Sequence, residues 1–298
     1  MTANQSEETL ASFPGFAPLQ TEAGGVAFQG VIGGSGPPVL LLHGYPQTHL
    51  AWRYIAPELA RRFTVIAPDL PGYGGSRTRS DRPRWTKRRV ANALVELMAR
   101  LGYSRFDVVG HDRGARAGYR LALDHPGRVA HYVSLAVVPT LDAWREAGMK
   151  FGLAQFHWFF LAQPFDLPER LLNADPDAFI ETALANMAGG LGYIDAVALD
   201  AYKQAFRDPA VRHAICEDYR AGAMEDLNDD QSDRDAGKML RCPVLILWPE
   251  SQVATTSVVE VWRRWAGDVS GKVLPGGHLL PEASPDAVVA ELVPFLLR

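Results

Sequence analysis

Phe106-Asp107-Val108-Val109-Gly110-His111-Asp112-Arg113-Gly114-Ala115-Arg116 is the stretch on which the fold turns. An apolar run, Phe106 to Val109, ends in Gly-x-Asp-x-Gly and enters a helical segment, Ala115 to Leu123. A strand that turns this tightly into a helix is a nucleophile elbow, which holds its middle side chain in a strained, raised pose. Glycine is needed where neighbouring backbone leaves no space for a Cβ. Serine usually occupies the apex and attacks carbonyl carbon. Here the apex is Asp112, and a carboxylate attacks saturated carbon, leaving an alkyl ester. The N-terminus of the following helix favours its anion.

Outward from the elbow, Val39 to Leu42 is continuously apolar, as in a strand buried on both faces of a parallel sheet, and runs into His43-Gly44-Tyr45-Pro46. Ala51 to Arg62 has helical spacing, Thr64 to Ala67 returns as a strand, Trp85 to Leu101 is helical, and Arg128 to Val138 is the next strand. Strands and helices alternating with short links predict βαβ units, hence an α/β class with a mostly parallel sheet flanked by helices. Val26 to Ile32 is expected as the first strand, after a loose leader from Met1 to Phe16. From Thr140 to about Glu225 the alternation gives way to helix after helix, an insertion that caps the sheet. The expected division is therefore a core of 1–141 and 226–298 with a helical cap of 142–225. Val244 to Trp248 resumes the sheet, Val258 to Ala266 is helical, Lys272 to Leu274 is a short last strand, and Pro285 to Leu297 is a terminal helix.

Composition narrows the classes. A net charge of -4 gives no electrostatic case for nucleic acid or an anionic membrane surface. Arg77 to Arg89 is basic, but Asp81 interrupts it, and it reads as a solvated loop and first helical turn. Cys216 and Cys242 make neither a disulfide framework nor a metal cluster, and suit a reducing compartment. Met1 to Thr21 lacks the basic and apolar regions of a signal peptide, and no stretch approaches a membrane span. A cytoplasmic location is expected.

In this strand order a histidine is expected after the last strand. His278 stands there, in a glycine-flanked loop, as the base that would deprotonate the water attacking an Asp112 ester. The backbone N–H groups of Tyr45 and Arg113 are the expected oxyanion donors for that step.

The chain resembles the haloacetate (fluoroacetate) dehalogenase family of the α/β-hydrolase superfamily. The resemblance runs through His43-Gly44-Tyr45-Pro46-Gln47-Thr48-His49, Asp69 to Gly74, Gly110 to Arg116, His157-Trp158, Cys216 to Ala223 and Gly277-His278. It implies the α/β-hydrolase fold, hydrolysis of the carbon–halogen bond of small 2-haloacids through an Asp112 ester, no metal or organic cofactor, and a homodimer. It also implies that Arg113 and Arg116 bind the substrate carboxylate, and that His157, Trp158 and Tyr219 donate hydrogen bonds to the departing halide. Fluoride concentrates its charge, so donors converging on one point matter most for it.

Two departures qualify the match. Between Gly127-Arg128 and Pro139-Thr140, the position of the acid that orients the histidine falls on Ala136. Glu250, after Trp248, and Asp142, just past Thr140, are the candidate substitutes. Without an acid, hydrolysis of the ester should suffer more than its formation, because carboxylate attack on carbon needs no base. Met187 stands where the resemblance suggests tryptophan, a change that either leaves room for larger 2-haloacids or only repacks the core. An epoxide hydrolase or haloalkane dehalogenase with the same nucleophile, and a ligand-binding protein that has lost turnover, are the alternatives. An epoxide hydrolase would draw on the cap tyrosines Tyr193, Tyr202 and Tyr219.

Overall fold

The computed structural model describes residues 10–82, 84–252 and 256–298. Its sheet contains nine strands among the described residues: β1 (Phe16–Ala23), β2 (Val26–Gly34), β3 (Pro38–Leu42), β4 (Thr64–Pro68), β5 (Arg77–Thr78), β6 (Phe106–His111), β7 (Val129–Leu135), β8 (Val244–Pro249) and β9 (Val269–Leu274). The order is β1-β2-β4-β3-β6-β7-β8-β9, with β5 on β2. β1, β2 and β4 pair antiparallel, and every pairing from β4 through β3 to β9 is parallel. β6 lies between β3 and β7, with Gly110 opposite both Leu42 and Ser134. All six of its residues are buried, so it has no solvent face and needs no alternation.

Three local expectations are corrected. The first strand is Phe16–Ala23, ahead of Val26, and Phe13 and Phe16 are buried, so the part of the leader within the described residues is docked on the core. The antiparallel β1–β2 hairpin turns on Gly24 and Gly25, both at positive φ, and the irregular burial along β1 hides its strand period. Residues 51–62 form no single helix, only a 3-10 turn at His49–Trp52 and one α-turn at Ala56–Leu59. The basic stretch is not simply solvated: Arg84 pairs with Glu217 and Glu225, Arg88 with Asp124 and Asp229, and Lys87 is buried.

The helix Arg113–Asp124 is buried from Arg113 to Leu123, with Ala115, Ala117, Gly118 and Ala122 keeping it thin enough to lie between the sheet and the helix Lys87–Arg100. Full burial of a side chain such as Leu121 contributes roughly 2 kcal/mol, so this helix is anchored by packing rather than by propensity. Between β7 and β8 the described residues are helical from Thr140–Arg145 to Glu225–Asp235. No helix among the described residues is long and apolar enough to cross a membrane.

Candidate active site

β6 ends at His111 and the next helix begins at Arg113, so the whole reversal of the chain falls on Asp112, with φ 47° and ψ -116°. A left-handed backbone costs a non-glycine residue about 1–2 kcal/mol, and packing must impose it. The two glycines of the motif show how: a Cβ on Gly110 would lie 2.5 Å from Ala115 Cα, and one on Gly114 would lie 2.2 Å from the Leu42 carbonyl oxygen. The Asp112 carboxylate is buried and held at both oxygens. Oδ1 accepts the Tyr45 N–H at 2.9 Å, and Oδ2 lies 3.4 Å from His278 Nε2. The Arg113 amide opens the helix and so has no intrahelical acceptor. Burial alone would push the Asp112 carboxyl up. The hydrogen bond and charge of His278, and after them the charge of Arg113 among its neighbours, hold it well below the usual carboxylate range.

The histidine side is built differently. The His278 N–H donates to the Met187 carbonyl at 3.0 Å, and the His278 carbonyl accepts from His111 Nε2 at 2.8 Å. A Cβ on Gly277 would sit 2.9 Å from the Ala188 carbonyl, so only glycine lets this loop approach the end of the helix Pro176–Ala188. Burial pushes His111 down to about 3, which makes it a neutral strut. At 2.7 Å from His278 Nδ1 stands the side-chain amide of Gln252.

Neither expected substitute acid reaches the imidazole. Asp142 receives hydrogen bonds from Trp265 Nε1 at 2.7 Å and from Arg264 at 3.1 Å, and Glu250 is exposed. Ala136 is buried at the end of β7 with φ 63°, a conformation that aspartate and asparagine tolerate far better than alanine. Gln252 escapes a sequence search for carboxylates because an amide carries no charge. Its place in the loop after Trp248 is the one signal that could have found it.

Arg113 and Arg116 are both buried, and they differ in their partners. Arg113 Nε donates to Asp218 Oδ2 at 2.7 Å and Nη2 to the Asp218 carbonyl at 2.7 Å, while its guanidinium carbon lies 4.4 Å from the Tyr219 ring centroid. Arg116 Nη1 donates to the Val138 carbonyl and Thr140 Oγ1, its guanidinium lies 4.7 Å from the Trp158 ring, and its buried Nε has no hydrogen-bond acceptor. No carboxylate pairs with it among the described residues, and burial lowers its pKa. A buried guanidinium with no carboxylate in direct contact is costly, which makes Arg116 a ready site for a bound one.

Over the elbow the rings of Tyr45, His157 and Tyr219 meet: His157 stacks on Tyr45 with centroids 5.4 Å apart, and Tyr219 stands edge-on to both. The Tyr219 hydroxyl is buried and makes no hydrogen bond. Burial pushes His157 down to about 4, so it is neutral at pH 7 and has one N–H to give. Trp158 completes the group, 6.2 Å from the Tyr219 ring. A cavity of about 1040 Å³ ends at His157, His278 and Gln252 and is walled further out by Phe179, Met187 and Tyr193. Asp112 meets that wall through His278, whose Nε2 is 3.4 Å from its Oδ2. The structure thus brings Asp112, His278, Tyr45, Arg113, Arg116, His157, Trp158 and Tyr219 into one neighbourhood; Asp142 is turned to Trp265, and Glu250 lines the same cavity as His278 without pairing with it.

Residues 37–282 match the family model for the alpha/beta hydrolase fold. The chain belongs to the α/β-hydrolase family. Within it, this α/β-hydrolase is 40% identical over 291 residues to a fluoroacetate dehalogenase of a Burkholderia species, covering 95% of each chain, which places it in a haloacetate dehalogenase-like group. It is 30% identical to a soluble epoxide hydrolase of Corynebacterium sp. strain C12, over 89% of this chain and 92% of the other. Among solved structures, a Pseudomonas aeruginosa protein named provisionally as an epoxide hydrolase superposes with a TM-score of 0.93 at 51% identity, covering 95% of this chain and 96% of that one.

Proposed function

We propose that the protein removes halogen from small 2-haloacids through an ester on Asp112, and that it hydrolyses this ester slowly. The observation that carries the reading is an anionic carboxylate at the elbow beside Arg116, a buried guanidinium with no carboxylate of its own. Arg116, with Arg113, binds the substrate carboxylate, and an Asp112 oxygen attacks the halogen-bearing carbon. The C–O bond forms as the carbon–halogen bond breaks, and the halide leaves among His157, Trp158 and Tyr219. In the second half, His278 takes a proton from water, the hydroxide adds to the Asp112 carbonyl, and the resulting oxyanion is met by the Tyr45 and Arg113 N–H groups. Collapse frees a 2-hydroxyacid and restores the carboxylate.

The second half depends on the imidazole carrying its proton on Nδ1 and a lone pair on Nε2. A carboxylate partner accepts only, so it enforces that tautomer and stabilises the imidazolium. The Gln252 amide offers a donor at one end and an acceptor at the other, so it does neither. Loss of the acid in a serine triad costs about 10⁴ in turnover. The identity to the fluoroacetate dehalogenase supports the substrate class.

The names of the other relatives support a second reading as an epoxide hydrolase. That reaction needs phenolic O–H groups to protonate the opening oxygen. The Tyr202 hydroxyl is committed to Glu282 at 2.6 Å; among the described residues the buried hydroxyls of Tyr219 and Tyr45 make no hydrogen bond, and a neutral epoxide has no use for Arg116.

The division into a core of 1–141 and 226–298 and a cap of 142–225 belongs to the same proposal. It is supported by the ties of the helix Glu225–Asp235 to core helices: Asp226 accepts the Lys87 N–H, and Asp230 and Asp233 pair with Arg120. A homodimer is the assembly that the resemblance implies, and a cytoplasmic location is the setting that the chain's two cysteines suit.

Mixing the protein with chloroacetate should release about one chloride per protein in a burst, with a carboxymethyl group appearing on Asp112 in the mass spectrum, then slow steady release. Asp112→Asn should abolish both. Fast chloride release with no adduct would refute the slow second half. No halide release, with turnover of styrene oxide, would favour the epoxide reading, and no reaction with either would leave a binding protein.

A further inference from the structure

The basic stretch ahead of the helix Lys87–Arg100 conceals one residue that the sequence reading leaves in solvent. Lys87 is 3% exposed, and its Nζ pairs with Asp218 Oδ1. The other oxygen of the same carboxylate accepts from Arg113 Nε at 2.7 Å and from the Tyr73 hydroxyl at 2.8 Å. A single carboxylate therefore stands between two cations, one of which faces the substrate site. The remaining charged group on Lys87 is Asp226, whose Oδ1 accepts the Lys87 backbone N–H at 2.7 Å.

Had Arg113 and Asp218 formed an isolated pair, their charges would cancel and Arg113 would attract an anion weakly. We propose that Lys87 is a charge-setting residue for the active site: by sharing Asp218 with Arg113 it offsets the charge of that carboxylate, with Asp226 at its own backbone N–H, and so strengthens the pull of Arg113 on the substrate carboxylate. Lys87 touches no reacting atom and acts through Asp218. Removing it makes the cluster one unit more negative directly behind the site, in an interior where a unit charge is poorly screened. The inference rests on the carboxylate-binding reading above.

The test compares alkylation of Asp112 by chloroacetate and by chloroacetamide, read as adduct mass against time. In both, the Asp112 oxygen–carbon bond forms, the carbon–chlorine bond breaks and chloride leaves, but only one reagent is charged. Lys87→Met should lower the chloroacetate rate about tenfold, the order expected of one unit charge across a low-dielectric interior, and leave the chloroacetamide rate within about twofold. Lys87→Arg should retain the parent ratio. Lys87→Met combined with Asp218→Asn removes one charge of each sign and should move the ratio back towards the parent, although it disturbs the packing further. Thermal melts establish that each variant is folded. An unchanged ratio in Lys87→Met, both rates falling together, or a double variant worse than the single would overturn the proposal. If the parent is not alkylated by chloroacetate at all, the carboxylate-binding reading fails and the proposal with it.

Discussion

The two halves of this site are made to different standards. On the elbow side Asp112 is fixed by steric necessity: two glycines whose replacement would strike backbone within 2.5 Å, an amide on one carboxylate oxygen and buried guanidiniums nearby. On the histidine side the imidazole leans on an uncharged amide, and its loop hangs from the carbonyl of Met187. In the reaction proposed above, the contrast makes forming the ester and breaking it separate structural problems, the first of them served by the more tightly fixed side.

Gln252→Glu is the sharpest way to probe the contrast. A carboxylate on Nδ1 would fix the productive tautomer and stabilise the imidazolium, so ester hydrolysis should quicken about a hundredfold while the chloride burst keeps its rate; adduct lifetime measures the first and rapid quench the second. If both steps respond equally, the halves are not separable.

Arg116→Ala attacks the other half. It should slow alkylation by chloroacetate roughly 10- to 100-fold, the usual worth of a charge-assisted hydrogen bond, and leave the lifetime of a preformed ester unchanged. An alkylation rate equal to the parent's would break the assignment of Arg116 to the substrate carboxylate.

The smallest effect concerns stability. Burial pushes the Asp226 carboxyl from 3.8 up to about 6. The folded state therefore favours the protonated acid: the stability this group contributes is full below the unfolded value and is lost as pH rises through about 6. Asp226→Asn, which keeps an acceptor for the Lys87 N–H, should stabilise the protein by about 1–2 kcal/mol at pH 8 and by little at pH 4. Urea unfolding at the two pH values checks this, and a gain equal at both would remove the titration from the explanation.

The sequence made legible what geometry forces. Gly110 and Gly114 cannot be anything else if the strand is to reverse in one residue, and the β6-to-helix passage is correspondingly plain. The place of His278 beside Asp112 was legible because it follows the last strand, directly after two glycines. What stayed hidden depends on tertiary choice. Whether Lys87 ends in water or against Asp218 is decided by the helix Pro209–Ala223 folding over it, and no local pattern records that. Asp142 and Glu250 looked suitable because they are acids near the right strands, but proximity in sequence says nothing of which way a side chain leaves its turn. β1 went unseen because its burial is irregular and its partner is the strand after it.

The bond from the His278 N–H to Met187 has a mechanical meaning. His278, the base of the proposed reaction, is suspended from the helix Pro176–Ala188, whereas Asp112, its proposed nucleophile, is bolted to the sheet. Any outward swing of the helix Pro176–Ala188 would carry off the group that activates water and leave the carboxylate standing, so a protein opened in this way could still be alkylated but could not be regenerated.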